Sequence, residues 1–174
     1  MGASPTLFSN AVLAIIGFIL SAYSIHVEHQ VDHKDESPDG EQFQALCDIE
    51  AIGASCSAVF SLPEGRMLSF FGLVPEGHAL DIPNGYLGML FYSYMFIRFF
   101  VGKNPRGTSI LFATSINLLI SSLAIASSVF LARKLYIIRE LCVVCVSTHI
   151  INTTLWLRSI REGLDGSQKT VKAQ

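Results

Sequence analysis

From Thr108 to Ala132 the chain carries no ionisable side chain at all, and that run decides which solvent the fold can live in. At about 1.5 Å per helical residue it is long enough to cross a hydrocarbon core of about 30 Å, where only a helix satisfies its own backbone polar groups. Asn117 is the one side chain within it that demands a hydrogen-bond partner. Leu7 to Val27 is a second run free of Asp, Glu, Lys and Arg. A cleaved signal peptide is the competing reading, but no Lys or Arg precedes the run and its apolar stretch exceeds the usual length. Gly85 to Val101 is a third candidate, with Arg98 near one end, where its stem can snorkel to the interface. Leu141 to Leu157 is a fourth, extended backwards through Leu135 to Ile138 across the pair Arg139–Glu140.

The expectation is an all-α membrane protein: a bundle of four transmembrane helices with an extracytosolic cap loop. Its boundaries are spans at 7–27, 85–101, 108–132 and 136–157, a loop at 28–84 and a tail at 158–174. Composition agrees, with 51% hydrophobic residues against only 15% charged. A net charge of −2 argues against nucleic acid as a partner, because no basic stripe neutralises phosphates. No repeat emerges at a period of 20–50 residues.

Orientation follows from Lys and Arg in the connections. With four spans, seven of them lie on the side of the termini and five on the other, which also carries eleven of the fourteen acids between Glu28 and Gly85. Both termini are therefore expected in the cytosol and the acidic segment outside it. That segment is polar to Glu41 and mixed after Phe43, with Leu46, Ile49, Val59 and Phe60, then Phe70-Phe71-Gly72-Leu73-Val74. Such apolar content suggests a cap that packs on the bundle or dips into the membrane interface.

The chemistry lies in the four cysteines. Cys47 and Cys56 belong to the acidic segment, and Cys142-Val143-Val144-Cys145 forms a C-x-x-C at the start of the last helix. With four spans all four sulfurs share one side, where disulfides persist if that side is oxidising. Two pairs on one side suggest a relay by thiol–disulfide exchange. Residues i and i+3 share a helical face, and a helix N-terminus favours thiolate. Cys145 lies about 4.5 Å deeper than Cys142, so it can face a lipid-borne substrate while Cys142 meets a loop thiol.

The plainer readings stand beside this one. The cysteines could be structural staples of a tetraspan scaffold. A four-cysteine zinc site is disfavoured, because the gap between Cys47 and Cys56 is wrong for a zinc knuckle, so no metal is expected. His26, His29 and His33 could line one helical face as ligands, but a solvated helix exit explains them. Asn152-Thr153-Thr154 matches a glycosylation acceptor yet sits inside a span. Met1-Gly2-Ala3-Ser4-Pro5-Thr6 fits a myristoylation pattern, though a span follows at once.

Several blocks resemble the vitamin K epoxide reductase family: Ala45-Leu46-Cys47-Asp48, Ser55-Cys56-Ser57-Ala58-Val59-Phe60, Pro83-Asn84-Gly85-Tyr86-Leu87-Gly88 with Phe91-Tyr92, and Leu141-Cys142-Val143-Val144-Cys145-Val146-Ser147-Thr148. Their order covers most of the chain, and the reductase and its vertebrate-type paralogue fit equally. The resemblance implies a membrane enzyme that reduces vitamin K epoxide or quinone with electrons from thiols, with no tightly bound cofactor. Cys145 would be the sulfur that engages substrate and Cys142 its resolving partner. Cys56 would exchange with Cys142, and Cys47 would take electrons from a thioredoxin-like luminal oxidoreductase.

Asn84 would hydrogen-bond a substrate oxygen, although an N-cap role for the second span is equally natural. Phe60, Leu87 and Phe91 would contact the ring or isoprenoid tail, each being a reasonable core residue in any case. The endoplasmic reticulum membrane follows from the same resemblance, with the cysteines luminal. The same chemistry could instead serve quinone-linked disulfide formation in luminal proteins. Three departures stand out. One extra residue separates Cys47 from Cys56, His149 replaces an expected tyrosine at i+4 from Cys145, and Glu64 replaces an expected tryptophan.

Overall fold

The computed structural model describes residues 5–32, 44–49, 51, 53–101 and 109–172. The fold is mostly helical, and no strand occurs among these residues. Four long helices dominate. Helix α1 spans Pro5–Asp32, α4 Asn84–Val101, α5 Ser109–Ile138 and α6 Val143–Lys172. Between α1 and α4 lie two short helices, α2 (Cys56–Phe60) and α3 (Met67–Phe70), separated by a 3-10 turn at Pro63–Gly65. Helix α1 packs on α4 and α6, and α5 packs on α6.

Small residues let α1 and α4 approach closely. A Cβ at Gly88 would meet Ser21 Oγ at 2.5 Å, and one at Gly85 would meet the Ser21 carbonyl oxygen at 2.9 Å. Gly17 accommodates the ring of Tyr92, which is itself almost fully buried. Around these contacts one core cluster gathers Ala14, Tyr92, Met95, Ile151 and Leu155. A second gathers Val27 and Ala45 with Cys47, Cys56 and Cys142.

Among the described residues, two segments are long and apolar enough to cross a membrane, Ser9–Asp32 and Phe112–Ile138. Both expose large apolar side chains, Ile15, Ile16 and Ile19 on α1 and Phe112, Leu119, Leu123 and Val129 on α5. Asn117, the amide within the α5 run, is buried and donates through Nδ2 to Ser159 Oγ of α6 at 2.8 Å.

The helix boundaries differ from the expected spans in three places. Leu135–Ile138 complete α5 and do not extend the last helix backwards. Arg139 takes a left-handed φ of 59°, which stops α5, and the chain restarts as a helix only at Val143. The segment after 157, expected as a tail, continues α6 to Lys172. It is tied down: Arg158 Nη1 donates to Ser9 Oγ at 3.1 Å and to Asn10 Oδ1, and Arg98 pairs with Glu162 at 3.0 Å. These contacts gather the start of α1, the end of α4 and the second half of α6 at the pole opposite the cysteines. Helix α1 also outruns its expected end, reaching Asp32. His33 and the start of the myristoylation pattern, Met1 to Ser4, lie outside the described residues.

Candidate active site

The four sulfurs form one continuous group. Cys47 and Cys56 are disulfide-bonded with Cα atoms 5.7 Å apart, and Cys142 and Cys145 are bonded with Cα atoms 5.2 Å apart. Cys56 Sγ and Cys142 Sγ, from different pairs and 86 residues apart, lie at 3.7 Å, and both residues are fully buried. Cys142 faces the loop pair, while Cys145 lines a cavity among the helices.

Asp48 is the hub that places the loop pair. Its Oδ1 accepts hydrogen bonds from the backbone N–H groups of Cys56 and Ser57, and its Oδ2 accepts from Ala45 N–H at 3.0 Å and from the Ser57 hydroxyl. Burial pushes the Asp48 pKa upward, but the donors from Ser57, Ala45 and Cys56 outweigh it and hold the carboxyl below its ordinary range. Ile49 and Ala54 exchange backbone hydrogen bonds at 2.8 and 3.1 Å, closing a small hairpin around Gly53, whose φ is 64°. Ser55 N–H then donates to the Leu141 carbonyl at 2.9 Å, fastening the loop to the residue before Cys142. Tyr23 of α1 anchors the other end, its hydroxyl accepting from Leu46 N–H at 2.9 Å.

The second pair sits at a helix start. Cys142 precedes the first turn of α6, and its Sγ accepts from Cys145 N–H at 3.2 Å, the interaction of an N-cap side chain. A sulfur there is stabilised as thiolate by the backbone donor and the helix dipole together.

Cys145 opens onto a cavity of about 600 Å³ lined mainly by apolar side chains. All five residues expected to touch substrate, Asn84, Phe60, Leu87, Phe91 and His149, line it. The ring nitrogens of His149 are buried and find no hydrogen-bond partner among the described residues. Asn84 does not cap its own helix. Its Oδ1 accepts from Met67 N–H at 3.0 Å and its Nδ2 donates to the Glu64 carbonyl at 2.7 Å, so it ties both turns of the connection to the start of α4. The second Nδ2 proton is left for another acceptor.

Sequence reasoning missed two parts of the wall. Tyr92 Oη donates to Asn152 Oδ1, and Asn152 Nδ2 donates to Ser128 Oγ, each at 2.8 Å, a polar chain across α4, α6 and α5. An asparagine within an apolar helix was the available signal, since such a group must find partners. The other part is charged. Lys134 Nζ pairs with Glu64 Oε1 at 2.9 Å and stands 5.1 Å from the Phe70 ring centroid, while Phe70 and Phe71 pack against Phe130 of α5. The hydrogen bond from Lys134 holds the Glu64 carboxyl below its ordinary range. Arg66 joins the same connection to α1, pairing with Glu28 at 3.2 Å and Asp32 at 2.8 Å, and donating to the Asp81 carbonyl at 2.9 Å.

Residues 9–160 match the model of the vitamin K epoxide reductase family. The chain is 35% identical over 156 residues to vitamin K epoxide reductase complex subunit 1 of Mus musculus, covering 86% of each chain. It is 34% identical over 157 residues to the subunit of the same name from Rattus norvegicus, again covering 86% of each.

Proposed function

The chain belongs to the vitamin K epoxide reductase family, and on that premise we propose that it reduces vitamin K epoxide, and the quinone, with electrons passed through its two cysteine pairs. The observation that carries this reading is the 3.7 Å approach of Cys56 to Cys142, whose disulfide partner Cys145 opens onto an apolar cavity. In this reading the four long helices all span the membrane of the endoplasmic reticulum, the cysteines face the lumen, and the connection between α1 and α4 caps the cavity. Phe71 and Leu73, both exposed, rest in the membrane interface.

The cycle starts with both pairs reduced. Cys145 thiolate attacks the epoxide, forming a carbon–sulfur bond and opening the ring to an alkoxide, which takes a proton. Asn84, through its remaining Nδ2 proton, and His149, through one ring N–H, donate to substrate oxygens as negative charge develops. Cys142 thiolate then attacks Cys145 Sγ. The carbon–sulfur bond breaks, its electron pair returns to the ring, hydroxide leaves and is protonated to water, and Cys142–Cys145 closes as a disulfide. Substrate gains two electrons and the dithiol loses them. Cys56 thiolate attacks Cys142, forms a mixed disulfide and frees Cys145. Cys47 resolves it, leaving Cys47–Cys56 oxidised for a thioredoxin-like luminal partner or a small thiol to reduce.

The test is turnover of vitamin K epoxide by the purified protein in detergent with excess dithiothreitol, followed by chromatography. Quinone should appear with wild type and vanish with Cys145→Ser, while Cys47→Ser retains activity because the dithiol bypasses the loop. Folded protein that leaves both epoxide and quinone untouched would overturn the reading. Reduction of quinone alone would assign the protein to disulfide formation.

A further inference from the structure

Along the chain the two cysteine pairs look unsuited to one metal ion, but folding places them together. Zn–S bonds of about 2.3 Å in a tetrahedron set neighbouring sulfurs about 3.8 Å apart. Cys56 Sγ and Cys142 Sγ already stand at 3.7 Å, each with its pair partner alongside. We propose that, once both disulfides are reduced, Cys47, Cys56, Cys142 and Cys145 close around a single zinc-type cation as a tetrathiolate site.

Several features favour it. Among the described residues the loop sulfurs and an Asp48 oxygen lie within 4.8 Å of one another, and reduction of both pairs frees Cys47 and Cys145 to rotate toward the Cys56–Cys142 contact. Asp48 itself is spent on four hydrogen bonds, which leaves sulfur as the ligand set. The Cys145 N–H donates to Cys142 Sγ, and such donors at thiolate ligands support metal binding. Cys56 and Cys142 are fully buried and Cys47 nearly so, which excludes competing water. Soft thiolates select zinc over calcium or magnesium.

The balance is explicit. Each disulfide takes two electrons and two protons from a small dithiol, which is itself oxidised to its disulfide, and gives two thiols. Four thiols then bind one Zn²⁺ and release four protons, fewer if some are already thiolate. While bound, every sulfur of the relay is occupied, so the cation blocks exchange. The inference rests on the reading above only in taking both pairs to be reducible by thiols.

The experiment uses the full chain in detergent, reduced anaerobically with a phosphine, desalted, and shown by thiol titration to carry four thiols. Zn²⁺ is titrated with proton release as the readout, and Cd²⁺ with its sulfur charge-transfer absorption. One ion per chain is expected, with all four cysteines protected from alkylation in peptide maps. Cys47→Ser and Cys56→Ser should each weaken binding more than about tenfold. The disulfide-bonded protein should bind none at the same concentration, and zinc should arrest dithiol-driven turnover until a chelator is added. Loop variants that bind like wild type, or protection of Cys142 and Cys145 alone, would overturn the site. Turnover without any metal binding would sink this inference and leave the relay standing. Metal binding without turnover would do the reverse.

Discussion

Replacing Asp48 by Asn removes the charge on which the loop pair is hung and leaves its shape. The carboxylate accepts from three backbone N–H groups and one hydroxyl. An asparagine amide offers one oxygen, so its NH₂ faces either the Cys56 and Ser57 amides or the Ala45 amide and the Ser57 hydroxyl. Two charge-assisted hydrogen bonds worth about 1.5–3 kcal/mol each are lost. The Ser57 hydroxyl can rotate to accept instead, which brings the expected cost to about 2–4 kcal/mol. At about 1.4 kcal/mol per tenfold, the open fraction of the loop rises between about thirtyfold and several hundredfold. Hydrogen exchange by mass spectrometry, with Asp48→Asn beside wild type in the same detergent, reads this directly. Peptides spanning 44–60 should lose protection by that factor while those from α5 and α6 keep theirs. Unchanged protection at 44–60 would refute the hub, and an equal loss in α5 would show a general defect instead.

The remaining predictions concern packing, backbone and charge. Gly88→Val puts side-chain atoms where a Cβ alone already meets Ser21 Oγ at 2.5 Å, and should cost about 2 kcal/mol or more in reversible unfolding, whereas Gly163→Ala, whose Cβ meets Thr114 at 3.7 Å, should be tolerated. Arg139→Gly should be neutral or raise the melting temperature slightly, while Arg139→Val, forced to a φ of 59°, should lower stability by about 1–2 kcal/mol. Glu64 has a lowered folded-state pKa, so its contribution is fully present above the unfolded value near pH 4.3 and is lost as pH falls through the folded value. Wild type should therefore lose at most about 1 kcal/mol relative to Glu64→Gln over that window, measured as the difference between their melting curves with pH.

Much of the architecture was open to reading because lipid leaves few alternatives. The uncharged run inside α5 follows from charge alone, and Cys142 falls at a helix start. What escaped were features made between distant residues. Nothing local to Arg139 reports that its backbone turns left-handed, because that turn is secured by Leu141 pairing with the loop at Ser55. Asn84 looked like a cap or a substrate ligand, and nothing local announced that its side chain also spans to Glu64 and Met67, contacts set by how the connection folds back. Glu64 read as a departure from a family pattern, and its meaning appears only with Lys134, seventy residues away. The same holds for zinc: the spacing of Cys47 and Cys56 argues against a knuckle, while the fold supplies two further sulfurs.

The central claim is that electrons cross between the pairs through Cys56 and Cys142. The most direct measurement uses the double variant Cys47→Ser with Cys145→Ser, which leaves only those two thiols, exposed to a mild oxidant and mapped by mass spectrometry under non-reducing conditions. An intramolecular Cys56–Cys142 disulfide should form almost quantitatively, as their 3.7 Å separation requires. Two thiols that stay free for alkylation, or that link only between molecules, would contradict the relay.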